Sequence, residues 1–484
     1  MRQSLRFDRY PGSEIEKVEK MGNAVIKVSN LKKIFYYLKK NGLKNAYYAA
    51  IERIEREKSS DYRYSMPDEE ELQKQRRGAE KFPYTFSILV PAYETAPLHL
   101  REMADSVLSQ TYPVLELIIA DASSSETVKK VMETYDDKRI RYVRLAENKG
   151  ISANTNAALE MAEGEYIGLL DHDDVLTPDA LFEMATAIYK NEKKGNTAWM
   201  LYSDEDKGNG DCTVFYEPHF KPTLNMDLLL SNNYICHFLV MKKELMKNLK
   251  FRPEYDGAQD FDLVLRAVAR LFYEKEGTGI KKSSVVHIPK VLYHWRCHTG
   301  STAENPGSKR YAYEAGRRAA EDFLSNRGWK GTVEDTHHLG FYRIKYERGI
   351  FSQRPEVGVT GGKILDARKR IAGGIYDEEG NSIYEGLRRE YSGYMHRASL
   401  LQEAYAVDVR CMKVRKELWK LFEETFGVTY EEDSNTGYFA YEKLGYKKTK
   451  EEEGILKLKS MEFCKKAKEA GYTIVFMPDV AVRL

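Results

Sequence analysis

Tyr166-Ile-Gly-Leu-Leu-Asp-His-Asp-Asp-Val-Leu-Thr-Pro-Asp179 is the stretch on which the reading of this chain turns. A short apolar run, Tyr166–Leu170, has the length of a buried strand and stops at an acid, Asp171. Thr177-Pro178-Asp179 then offers an N-cap, a Pro for the first helical position and an acid for the first turn. The same alternation runs upstream. Phe86-Ser-Ile-Leu-Val90 is a strand stopped by Pro91, and Thr95 is placed to cap a helix carrying Leu100, Met103, Ala104, Val107 and Leu108 on one face. Leu115–Ala120 is a second strand ending at Asp121, and Ile140–Leu145 a third. A helix from Ser152 to Ala162 is closed by Gly164. Strands alternating with helices predict a largely parallel sheet with right-handed crossovers. Such sheets bind ligands at the carboxyl ends of their strands, where Asp121 and Asp171 stand.

The flanks differ from this centre. Residues 15–80 read as helical and polar, with Leu31, Ile34, Phe35 and Leu38 on one face and Leu43, Ala46, Tyr47, Ala50, Ile51 and Ile54 starting a second stripe after Asn41-Gly42. Residues 31–58 carry eight Lys/Arg against three Glu, so this amphipathic pair suits either packing on the next domain or an anionic membrane surface. After residue 210 the pattern turns mixed. Tyr311–Leu324 reads as a helix, Val357–Ile364 as a strand, and Met461–Gly471 with Tyr472–Met477 as a terminal helix–strand pair. These features divide the chain into a basic helical arm (1–80), a central α/β domain (81–325), a linker (326–349) and a smaller α/β domain (350–484).

The bulk numbers exclude several classes. A formal net charge of +2 over 484 residues speaks against a nucleic-acid binder, and no apolar run approaches the ~18 residues that span a bilayer. The five cysteines are far apart without metal-ligand spacing, and MRQSLRFDRYPG lacks the apolar core of a secretion signal, so a reduced cytoplasmic protein is expected. Neither GxGxxG nor GxSxG occurs, and Gly361-Gly362-Lys363 is followed by Ile364 where a phosphate loop needs Ser or Thr.

Three constellations carry chemistry. Carboxylates are hard oxygen ligands suited to Mg²⁺ or Mn²⁺, and Asp171-His172-Asp173-Asp174 is either such a site or an acidic capping turn. Gln259-Asp260-Phe261-Asp262 opens a helix, where Asp260 is either a general base or a capping carboxylate. Tyr293 to Thr302 concentrates phosphate-binding side chains, Arg296, His298 and Ser301 among them, around Gly300.

Taken together, eight ordered segments over roughly 80–325 resemble the family 2 glycosyltransferases of bacterial surface-polysaccharide synthesis, in particular their rhamnosyltransferase-like branch. They are Ser87–Tyr93, Ser106–Pro113, Asn148–Ser152, Gly164–Ile167, Leu170–Asp174, Tyr202–Lys207, Gln259–Leu263 and His287–Arg296. The resemblance implies a GT-A fold, a mixed sheet flanked by helices that binds a nucleotide-sugar. It also implies a UDP- or dTDP-sugar donor, Mn²⁺ or Mg²⁺, and inversion at the anomeric carbon. Carried over by position, it places Pro91, Ala92, Tyr93 and Glu94 along the nucleoside, Asp121 on the base and Lys149 beside the nucleotide. Asp171 and Asp173 fall on the metal motif, with Asp173 the direct ligand, and Asp260 on the general base. Arg296, His298 and Ser301 fall on the loop over the diphosphate. Ala122 replaces a second Asp frequent in the family, and Gln259 replaces a Glu. Asp204, Glu205 and Asp206 match a branch hallmark with a structural role as the alternative.

Residues 350–484 resemble the middle and end of a second transferase domain without its nucleotide-binding half, a silent remnant suited to acceptor binding, homodimer formation or support. The expected acceptor is a lipid-linked glycan at the inner face of the plasma membrane, with no nucleic-acid partner. Two rivals stand against this reading. A sugar nucleotidyltransferase needs a Gly-rich basic loop where this chain has Pro91-Ala-Tyr-Glu94, and a decayed, acceptor-binding scaffold has to explain the retained Asp171, Asp173, Asp260 and Arg296.

Overall fold

In the computed structural model, which describes residues 42–43, 46–52, 62–273, 282–297, 310–445 and 449–483, the apolar run at Phe86 becomes strand β1 (Phe86–Ala92). Beside it lie β2 (Leu115–Asp121), β3 (Ile140–Arg144) and β4 (Tyr166–Leu169), all parallel. Their register aligns the ends: Ala92 pairs with Asp121, and Asp121 with Arg144. The sheet then changes character. It continues through β5 (Val175–Leu176), β6 (Met200–Gly208), β7 (Phe215–His219), β8 (Leu239–Lys242) and β9 (Val285–Arg296) in the order β3-β2-β1-β4-β8-β6-β9-β5, with β7 on β6. β8 is antiparallel to β4 and β6, β9 runs parallel to β6, and β5 returns antiparallel on β9. The sheet is therefore mixed and flanked by helices, the expected class.

Apolar side chains on one face of the sheet close the core: Phe86, Ile88 and Val90 of β1 cluster with Leu100, Met103 and Val107 of the helix Pro97–Leu108 and Met184 and Ile188 of the helix Ala180–Glu192. Close approach makes one glycine obligatory, because a Cβ on Gly164 would stand 2.6 Å from the backbone nitrogen of Ser87. Two helix starts differ from expectation. Thr95 does not cap the first of these helices: Ala96 is the cap and Pro97 opens it, so one donor needing a cap is already missing. The second helix starts at Ala180 rather than at Pro178. The Thr177 hydroxyl donates to Asp179 (2.7 Å), and Gln110 from the preceding loop accepts the Leu181 N–H (2.9 Å) in its place.

The chain divides into two units, Asp61–Ile344 and Met1–Ser60 with Lys345–Leu484. Gly331–Asp335 and Tyr342–Tyr346, within the stretch expected to be a linker, form a two-stranded sheet. Tyr342 donates to the Tyr313 carbonyl (2.7 Å) in the helix Arg310–Asn326. Of the N-terminal arm, residues 1–41, 44–45 and 53–61 lie outside the described residues. Within it, 46–52 and Glu69–Gly78 are helical, and 62–68 are not.

The second unit has its own five-stranded sheet around Val357–Leu365, every residue of which is buried, parallel to Thr473–Arg483. The helices Trp419–Phe426 and Lys450–Glu469 cover it through Phe422, Phe463 and Cys464. Cys464 is a core side chain there. Glu52 accepts from Ser392 N (3.0 Å), Ser392 Oγ (3.1 Å) and Gly393 N (2.5 Å), tying the 46–52 helix to this unit. No helix among the described residues is long and apolar enough to cross a membrane.

Candidate active site

The turn from Asp171 to Asp174 links β4 to β5, and β9 clasps it from below. Tyr293 donates its hydroxyl to Asp174 Oδ2 (2.5 Å) and accepts from the Asp171 N–H (3.4 Å), while the Arg296 N–H donates to Asp174 Oδ1 (2.7 Å). Asp174 is thus the buried anchor of the turn, and burial together with the charges of Asp171 and Asp173 raises its carboxyl well above the usual range. Asp171 is raised too, by burial and by the charges of Asp173 and Asp260, against which His237 pulls it down. The fold therefore brings the Asp171–Asp173 turn and Asp260, almost ninety residues further along, into one electrostatic neighbourhood.

Among the described residues no group of three or more His, Cys, Asp or Glu is arranged as a complete metal cage. Asp171 and Asp173 nonetheless fit a Mg²⁺-type site. Such ions take one or two protein carboxylates and fill the remaining positions with phosphate oxygens and water. The mutual repulsion that raises Asp171 is what a divalent cation would relieve.

Asp260 stands in the first turn of the helix Gln259–Phe272, where the macrodipole favours a carboxylate. Asn233 donates to its Oδ2 at 2.7 Å and the Cys236 thiol to the same oxygen at 3.1 Å. The helix is anchored two residues on, where buried Asp262 holds both Arg252 (3.1 Å to Nε) and Arg266 (2.7 Å). His237, next to Cys236, stacks flat on Tyr293 with ring centroids 4.5 Å apart.

At the nucleoside end, Ala92 is buried, Pro91 half-buried and Tyr93 half-exposed. Glu94, with φ +47°, staples the β1 turn to the β2 turn: it accepts from Ser124 N (2.7 Å), Ser124 Oγ (2.8 Å), Ser125 N (3.0 Å) and Ser125 Oγ (2.6 Å). The Ser125 and Ser124 donors hold its carboxyl down at about 2. Asp121 is fully buried, its oxygens engaged by Ser123 N (2.9 Å), Tyr142 (2.7 Å) and Arg144 (2.8 Å). It organises this edge from inside rather than presenting an open face to a base. Lys149 is exposed and pairs with Glu147 at 2.8 Å. Gly150 has φ +92°, and a Cβ there would collide with Asp256, whose Oδ1 accepts the Ser152 N–H (3.1 Å) at the start of the helix Ile151–Met161.

Arg296 differs most from expectation. Its guanidinium is fully buried, donating to the carbonyls of Asp173 (2.5 Å) and Gly210 (2.7 Å) and pairing with Glu102 (2.8 Å). The side chain locks the acidic turn from behind. β9 is longer than its charged sequence suggests, running from Val285 through Arg296 before it ends, so Arg296 is a strand residue. His298 and Ser301 lie outside the described residues. The Asp204–Asp206 run is buried along β6 and paired: Asp204 with His287 (2.7 Å), Glu205 with His219 (3.2 Å) and Lys221 (3.4 Å), Asp206 with His294 (2.5 Å) and Tyr62 (2.7 Å). Burial pushes the Glu205 carboxyl up, but Lys221 and His219 outweigh it and hold it at about 2. Sequence reasoning missed Asn233, Cys236, His237 and Glu102, which belong to none of the three constellations.

The profile of Glycosyl transferase family 2 matches residues 87–250, the part of the chain that carries β1, β2, β4 and the acidic turn. An uncharacterized protein of Sinorhizobium fredii is 40% identical over 246 residues, which make up 49% of this chain and 25% of that protein. The O-antigen biosynthesis protein RfbC of Myxococcus xanthus is 31% identical over 266 residues, 54% of this chain and 19% of the relative. WcaA of Escherichia coli, named for glycosyl transfer in colanic acid biosynthesis, is 30% identical over 209 residues, 42% of this chain and 72% of the relative. The matched stretch is thus a quarter or less of the first two relatives and most of the third.

Proposed function

The chain belongs to glycosyl transferase family 2, and on that premise we propose that it is an inverting, metal-assisted transferase that moves a sugar from a nucleoside-diphosphate donor to a growing surface glycan. The observation that carries this reading is the acidic turn: Asp171 and Asp173, clasped by Tyr293 and Arg296 at the end of β4, lie within electrostatic reach of Asp260. UDP or dTDP is the proposed nucleotide, lying along Pro91–Glu94. The polysaccharide pathways named for two relatives favour a glycan acceptor. We further propose that this acceptor is lipid-linked and met at the inner membrane face.

In this reading the residues divide the work. The Glu94 staple fixes the mouth between β1 and β2, so the donor edge is pre-shaped. Asp171 and Asp173 would hold Mn²⁺ or Mg²⁺, which supplies charge neutralisation for the departing diphosphate. Asp260, in the first turn of its helix, takes the proton of the acceptor hydroxyl as that oxygen bonds to the anomeric carbon. A single displacement of this kind inverts the centre.

The test is release of nucleoside diphosphate from a panel of UDP-, dTDP- and GDP-sugars with Mn²⁺ or Mg²⁺, with Asp173→Ala alongside. Metal-dependent release of one nucleotide, lost in the variant, is the expected result. No release, and no thermal shift with any nucleotide, would overturn the reading in favour of an acceptor-binding scaffold.

A further inference from the structure

The surroundings of Asp260 are asymmetric. Both donors that reach its carboxylate, the Asn233 amide at 2.7 Å and the Cys236 thiol at 3.1 Å, converge on Oδ2. Oδ1 takes no hydrogen bond among the described residues. The Asn233 amide is itself oriented: its oxygen accepts the Cys236 N–H (3.4 Å), which turns its NH₂ toward Asp260. The Cys236 thiol is a proton donor rather than a thiolate, because burial and the neighbouring Asp260 charge push its pKa well up. The loop Asn232–Phe238 therefore carries two donors set three residues apart on one carboxylate oxygen.

We propose that Asn233 and Cys236 are positioning residues that fix the rotation of the Asp260 carboxylate, so that Oδ1 alone is presented to the acceptor hydroxyl. This rests on the reading of Asp260 as the base. In the step, the acceptor O–H proton passes to Oδ1 as the acceptor oxygen bonds to the anomeric carbon. The bond from that carbon to the diphosphate oxygen breaks, and its electron pair leaves on the nucleoside diphosphate. A carboxylate with neither donor turns freely about its last bond, and a base misplaced by about 1 Å loses on the order of 10²-fold in rate. Each donor alone accounts for roughly a 10-fold part of that, the size of one hydrogen bond to a charged group.

Two measurements on the whole of this chain test this. The first needs no turnover. The S–H infrared band of Cys236, isolated as the difference between wild type and Cys236→Ser, should be lowered in frequency by its carboxylate acceptor and move up in Asp260→Ala. A band that ignores Asp260 overturns the proposal. The second uses water as the acceptor and a panel of UDP-, dTDP- and GDP-sugars as donors. Asn233→Ala and Cys236→Ala should each lower kcat by about 10-fold, and together by about 10²-fold, with the donor KM unchanged. Cys236→Ser, which keeps an O–H donor, should recover most of the rate lost in Cys236→Ala. Asp260→Asn separates the failures. If it abolishes release while the Asn233 and Cys236 variants keep the wild-type kcat, the base reading stands and the positioning role falls. If Asp260→Asn keeps full release, the base reading falls and takes the positioning role with it.

Discussion

Replacing Arg296 by Met keeps the apolar stem and removes the guanidinium, and this one change separates two roles for the residue. In the structure the group reaches the carbonyls of Asp173 and Gly210 and the carboxylate of Glu102. Its loss strands two carbonyls and an acid around a fully buried position. Removing one partner of a buried pair costs ~3–5 kcal/mol. Because the Glu102 side chain is 32% exposed and can rehydrate, the lower end applies, about 3 kcal/mol. For a unit of this size that corresponds to a fall in melting temperature of roughly 6–12 °C. Urea unfolding followed by tryptophan fluorescence is the assay: Trp199, Trp295 and Trp329 report on the unit that holds Arg296, and only Trp419 on the other. Arg296→Lys should recover only part of the loss, since an ammonium cannot reach three acceptors in a fork. An unchanged midpoint together with weakened nucleoside diphosphate binding would refute the reasoning. It would return Arg296 to the diphosphate role expected from the sequence.

Three further outcomes are expected. Glu94 has a carboxyl held at about 2 against an ordinary 4.5, so its staple contributes fully above pH 4.5 and is lost as pH falls toward 2; Glu94→Gln should therefore show a smaller difference in urea midpoint between pH 5 and pH 3 than wild type. Asp256→Ala removes the acceptor for Ser152 N and should lower stability by about 1 kcal/mol, whereas Gly150→Ala, strained at φ +92° and colliding with Asp256, should lower it more, both read as urea midpoints. Glu52→Ala strips three hydrogen bonds from Ser392 and Gly393, and limited proteolysis should cut near residues 46–52 faster than in wild type.

The parallel half of the sheet was legible because its strands are continuous apolar runs: β1, β2 and β4 are buried on both faces, so composition alone marks them. The helix Gln259–Phe272 was legible from its apolar spacing and acidic first turn. The caps were misplaced where the acceptor came from afar, as with Gln110 for the Leu181 N–H, since local spacing carries no trace of a residue 71 positions upstream. Arg296 misled for a related reason. A basic residue among His, Ser and Thr has the composition of an anion-binding loop, and only the pairing of Gly208 with Arg296 reveals that it ends a buried strand. Asp171, Asp173 and Asp260 were visible as candidates in their motifs. Asn233 and Cys236 were not, because an Asn and a Cys in a loop acquire meaning only when tertiary structure sets them against a carboxylate.

The contact between Glu52 and Ser392 spans 340 residues of chain. On a ribosome adding ~5–20 residues per second, that interval is roughly 20–70 s. Throughout it, the helical stretch 46–52 has been made and its docking loop has not, while the whole of Asp61–Ile344 emerges between them and has the time to fold as a unit. The second unit is therefore completed last and all at once, a discontinuous fold whose first piece waits for its final one. A chain stalled before residue 392 would carry a finished transferase sheet and an N-terminal helix still without its receptor.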